Sequence, residues 1–190
     1  MSEQQLPRLR LYLTALVMLA ELAHLTWEHF NGGVASHHFL NRSDMPAISN
    51  WWGALLLPVL TWFLTSRIQR RIALHSGGKE AASKLPMSVV ARFVGSLLFA
   101  ILLSVSFTND YETIASYLFL GMFLLALLLP VYRAECVLGF VLGMTFVFGA
   151  VLPTVIGSII AAVSAAIHLY VCPLLARLWA WFKCTLSPTA

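Results

Sequence analysis

The sequence predicts an all-α, polytopic integral membrane protein with six transmembrane helices and both termini in the cytoplasm. Three observations carry that expectation. Of its 190 residues 59% are hydrophobic and only 11% charged, with a mean hydropathy of +0.82, against about a quarter charged in a soluble domain. The apolar residues fall into six runs, most of them long enough for a hydrocarbon core of roughly 30 Å. Lys and Arg collect between alternate runs, which is the pattern that orients a chain in a bilayer. The runs leave room for one membrane domain over residues 1–190 and for no soluble catalytic domain.

The first run, residues 11–30, follows a short start carrying Arg8 and Arg10. It resembles the basic and apolar regions of a signal peptide, but Glu21 interrupts it and no small-x-small cleavage site follows, so a retained helix is expected. Asn31-Gly32-Gly33 breaks it, and a loop with His37, His38, Arg42 and Asp44 leads to Pro46, a residue suited to a helix start. The second run, 47–66, opens on Ser49, Asn50, Trp51 and Trp52, an interfacial set, and holds Pro58, where a kink is expected. The segment after it carries Arg67, Arg70, Arg71, Lys79 and Lys84 and reads as the most basic loop. Run three covers 87–107, and a short turn with Asp110 and Glu112 leads to run four, 113–132. Arg133 and Glu135 form a brief turn before run five, 136–152, whose Gly139 and Gly143 are spaced for close helix packing. Pro153 is expected to separate it from run six, 154–176.

Placed alternately, every Lys and Arg except Arg42 falls on the cytoplasmic side, counting Arg92 as a side chain that snorkels from the start of run three. The His37-His38 loop and the Asp110-Glu112 turn then face outward, and Cys136, Cys172 and Cys184 lie toward the cytoplasm, where no disulfide framework is expected. The expected location is a cell membrane, multi-pass, of the bacterial inner-membrane kind. The net charge of +4 is explained by topology, so no nucleic-acid partner is expected. The bilayer is the expected partner, and a homo-oligomer or a membrane complex fits the packing glycines.

Candidate chemistry concentrates between Glu21 and Trp52, which holds four of the six histidines. Glu21, His24 and Glu28 stand at i, i+3 and i+7 and share one helix face over roughly 10 Å. Ionisable groups at that depth cost a few kcal/mol and face a bundle interior or water. His24, Glu28, His37 and His38 form a candidate ligand set for zinc or another divalent transition metal, with Glu21 or Glu28 as general base. The spacing is unspecific: there is no His-Glu-x-x-His signature, and the single Glu21-x-x-His24 pair falls short of a di-iron bundle. The leading expectation is an outward-facing His/Glu site of a metal-dependent membrane enzyme acting on a lipid or extracytoplasmic substrate. A small proton- or cation-coupled carrier or channel is the alternative, and a structural subunit, with Glu21 and His24 as a helix-holding pair, is the third. A carrier needs a polar route to the cytoplasm, and Thr14 is the one polar residue the sequence offers below Glu21. His168 and Ser164 are further buried polar candidates in run six, with Ser158 and Ser164 expected to face the first-helix ladder. Phosphate loops, nucleophile elbows and paired-cysteine motifs are absent from the sequence.

Overall fold

The computed structural model describes residues 5–34, 36–38, 47–75 and 86–186. The element order is α1 (Gln5–Phe30), β1 (Ser36–His38), β2 (Ala47–Ser49), α2 (Trp51–His75), α3 (Met87–Thr108), α4 (Glu112–Leu128), α5 (Ala134–Phe148), α6 (Val151–Ala166), a π turn (Ile167–Val171) and α7 (Cys172–Leu186). Among the described residues the structure is helical apart from one small antiparallel strand pair. Among the described residues three helical segments are long and apolar enough to cross a membrane: Arg8–Phe30, Met87–Thr108 and Val151–Trp179. The apolar helices α4 and α5 are shorter. Leucines and aromatics such as Leu16, Leu19, Tyr117, Leu120 and Leu124 point away from the bundle, an apolar surface suited to lipid.

Several boundaries differ from the sequence expectation, each for a local reason. Residues 47–49 do not begin the second helix; they pair antiparallel with β1, Ser36 opposite Ser49, His37 opposite Ile48 and His38 opposite Ala47. The helix starts only after Asn50, whose carbonyl accepts from the Gly53 N–H at 2.8 Å. At its far end α2 continues to His75, so Arg67, Arg70 and Arg71 sit on helix rather than in a loop. Glu135 likewise belongs to the first turn of α5, where the helix dipole favours an acid. Gly149, at φ 68°, and not Pro153, ends α5; left-handed backbone suits glycine. Pro153 sits inside the first turn of α6, where a missing N–H costs no hydrogen bond. The last apolar segment widens into the π turn just before Pro173. Proline cannot donate to the carbonyl four residues back and crowds it, and wider winding relieves that crowding.

The most extensive helix contact is between α3 and α5, followed by α1 with α2. A Cβ on Gly139 would strike Ser96 Oγ and the Phe93 carbonyl, and one on Gly143 would meet Ala100 Cβ at 2.7 Å and the Leu97 carbonyl at 2.8 Å. Both sequences therefore advance together, so α3 and α5 run parallel, with Ser96, Ala100 and Ser104 as the small face against the two glycines. Ser104 Oγ donates to the Gly143 carbonyl at 3.3 Å. Helix α2 runs antiparallel to both α1 and α5, because Gly53 lies beside Glu21 and Ala150 while Arg71 reaches Glu135. The three helices α1, α2 and α5 thus share one seam. Leu57 and Val141 fill its middle, with Val17 and Leu60 packed against them.

Candidate functional site

The seam carries a polar group at each end. At the Phe30 end, α1 places Glu21, His24 and Glu28 on one face, as the helical period requires. Glu21 is buried, 5% exposed, and its Oε1 occupies the space a side chain on Gly53 would need. His24 stands between the two acids: Nδ1 is 4.0 Å from Glu21 Oε2, and Nε2 is 3.5 Å from Glu28 Oε1. The buried Asn50, just before α2, donates from Nδ2 to Glu28 Oε1 at 2.8 Å. Phe146 of α5 covers the imidazole, with ring centroids 4.6 Å apart, and also meets Trp27 at 6.5 Å. The result is a carboxylate–imidazole–carboxylate–amide ladder with an aromatic wall.

The two acids address different ring nitrogens, on opposite sides of the imidazole. One ion can meet Glu28 and Nε2, or Glu21 and Nδ1, but not all three side chains at once. Among the described residues no group of three His, Cys, Asp or Glu converges as a metal site. His37 and His38 have their backbone in β1; their side chains lie outside the described residues. Neutral imidazole carries a proton on one nitrogen and accepts on the other, so His24 presents a donor toward one acid and an acceptor toward the other.

The other end of the seam holds a cluster that sequence reasoning missed. Glu135 is fully buried, and Arg71 Nη2 donates to its Oε1 at 2.8 Å while Arg92 Nη1 stands 3.6 Å from the same oxygen. Arg92 therefore reaches a buried acid while its own side chain stays partly exposed. Glu135 Oε2 has no hydrogen-bond partner among the described residues. A cavity of about 200 Å³ reaches from this carboxylate along the seam, lined by Thr61, Thr65 and Gln69 as well as Leu13, Val17 and Leu142. Buried hydroxyls of Thr14 and Thr61 lack hydrogen-bond partners among the described residues. The signal for Glu135 was available: it precedes Leu138 and Gly139 by helical steps and shares their inward face.

The chain matches no family model, no curated protein and no solved structure.

The remaining candidates lie elsewhere. Ser164 is buried, but its Oγ donates to the Leu129 carbonyl at 3.1 Å, tying α6 to the end of α4, and Ser158 is exposed; neither faces the ladder. His168, in the π turn, has Nδ1 3.0 Å from the Ser164 carbonyl and its ring 6.2 Å from Tyr132. It belongs to the contact with the α4–α5 link, away from Glu21. Gly139 and Gly143 serve the α3 contact described above.

Proposed function

We propose that this chain is a small proton- or cation-coupled carrier of a cell membrane, crossing it six times with both termini in the cytoplasm. The observation that carries this reading is the pair of buried carboxylates, Glu21 and Glu135, at opposite ends of one α1–α2–α5 seam. Thr14, Thr61, Thr65 and Gln69 add polar groups along that seam, where the sequence suggested Thr14 alone. Leu57 and Val141 close it between the two compartments. A polar site on each side of a single apolar layer suits alternating exposure, in which the layer opens to one side at a time. The ladder end holds the coupling ion: His24 exchanges a proton with Glu21 or Glu28, or a cation takes its place between a carboxylate and the ring.

The test is flux in proteoliposomes carrying a pH-sensitive or cation-sensitive dye. Wild-type protein is expected to dissipate an imposed proton or cation gradient, and Glu21→Gln, which keeps the shape and removes the charge, to lower the initial rate about tenfold or more. Absence of flux in wild-type protein overturns the carrier. Near-stoichiometric zinc or another transition metal in such inactive protein, lost in His24→Ala, returns the site to metal-assisted chemistry at His24 and Glu28 with a ligand from the hairpin. Neither flux nor metal leaves the ladder as a helix-holding pair.

A further inference from the structure

A second, larger cavity of about 510 Å³ lies between α3, α4, α5 and α6, away from the α1–α2 side. Its volume falls in the range of pockets that hold small organic molecules. Gly95, Phe99, Met122, Leu125, Phe140 and Ile160 make it apolar over most of its length, and polarity enters at one end through Arg92, Ser96 and Cys136. That end carries an excess of positive charge. Arg92 lines it, Arg133 stands three residues before Cys136 in the chain, and Arg71 meets the nearby acid, Glu135. Arg71 already holds Glu135 Oε1 at 2.8 Å, Arg92 stands at 3.6 Å, beyond hydrogen-bond length, and Arg133 Nε is buried without a hydrogen-bond partner among the described residues. Guanidinium groups in excess of the carboxylates beside them suit a phosphate, which takes them in paired hydrogen bonds. The apolar remainder suits a hydrocarbon chain and offers nothing to a second charge.

We propose that this cavity binds an anionic phospholipid, one acyl chain between α3 and α4 and the phosphate against Arg92 and Arg133. The two ends of the site match the two ends of that molecule. Net positive charge at the Arg92 end selects an anionic headgroup over a zwitterionic one, because the latter brings its own cation to the arginines. The site meets the carrier seam at Arg92, which stands 3.6 Å from Glu135, but its test reads binding, not flux.

The experiment is native mass spectrometry of full-length protein in detergent, titrated with phosphatidylglycerol, phosphatidylcholine and glycerol 3-phosphate separately. Wild-type protein is expected to retain phosphatidylglycerol about tenfold more tightly than phosphatidylcholine, the difference made by one charge-assisted contact. Arg92→Gln should abolish that preference. Gly95→Leu should weaken both lipids: Gly95 lines the cavity and a Cβ there meets nothing within 4 Å, so a larger side chain is expected to take up cavity space. It also replaces glycine by a stronger helix former, which keeps the variant folded should Arg92→Gln fail to fold. Equal retention of the two lipids by wild-type protein, or undiminished lipid binding in Gly95→Leu, overturns the proposal. Binding of glycerol 3-phosphate as tight as that of phosphatidylglycerol overturns the lipid assignment, because the acyl chain would then contribute nothing.

Discussion

At the scale of single residues, the fully buried Glu135 shows most directly how charge is managed in this bundle. Its carboxylate is at 0% exposure, whereas Arg71 and Arg92 are 29% and 35% exposed, so the acid is desolvated and the bases remain wetted. Removing one member of such a group costs more than the pair itself contributes, because the survivor is left without its counter-charge. Glu135→Gln is expected to destabilise the purified protein by about 1.5–3 kcal/mol, the worth of a hydrogen bond to a charged group. Arg71→Gln in the same background should recover part of that loss, giving a coupling in the double-mutant cycle. Strict additivity of the two changes in thermal melts would deny the contact. Glu21 poses the same difficulty with a different answer: its neighbours are an imidazole and a glycine, not a guanidinium, and the space beside it exists because position 53 has no side chain.

At the scale of elements, the α3–α5 contact is where backbone approach determines stability. Gly143→Ala would push a methyl group to 2.7 Å from Ala100 Cβ and 2.8 Å from the Leu97 carbonyl, and overpacking of this kind costs roughly 1–3 kcal/mol. Gly121→Ala in α4 is the matched control, since nothing lies within 4 Å of its added methyl. It should be neutral or gain up to about 1 kcal/mol of helix propensity. Thermal denaturation in detergent distinguishes the two, and equal melting temperatures for both variants would remove close packing from the account of this interface. The hairpin is the other element that matters: it ends at Asn50, and through Asn50 it fixes Glu28.

For the whole molecule, the proposed six-crossing arrangement makes a prediction about sides. Up-and-down alternation agrees with the parallel run of α3 and α5 and the antiparallel run of α1 and α2, and in the proposed orientation the basic residues on α2 lie on the retained side. Single cysteines at Asn109 and at Leu74, in a background lacking Cys136, Cys172 and Cys184, should therefore label differently in intact cells. An impermeant thiol reagent is expected to reach Asn109→Cys and not Leu74→Cys, both positions being exposed. The reverse pattern would invert the orientation, and labelling of both would break the alternation between α2 and the α3–α4 turn.

Composition and period alone determined the solvent, the helical class and the shared face of Glu21, His24 and Glu28. Those are local properties: hydropathy is a sum over neighbours in the chain, and a helical face follows from spacing. The glycine pair of α5 was legible in the same way, though not its partner. What needed tertiary structure was every meeting across elements. Asn50 reaches Glu28 over 22 positions and Arg71 reaches Glu135 over 64, separations at which one sequence carries no pairing signal. Glu135 looked like a turn residue because acids next to arginines ordinarily lie in water, and only the packing of α2, α3 and α5 around it shows that its side chain is enclosed. The same packing placed Glu21 and Glu28 at opposite nitrogens of His24, since Phe146 of α5 covers the ring and Asn50, just before α2, holds Glu28.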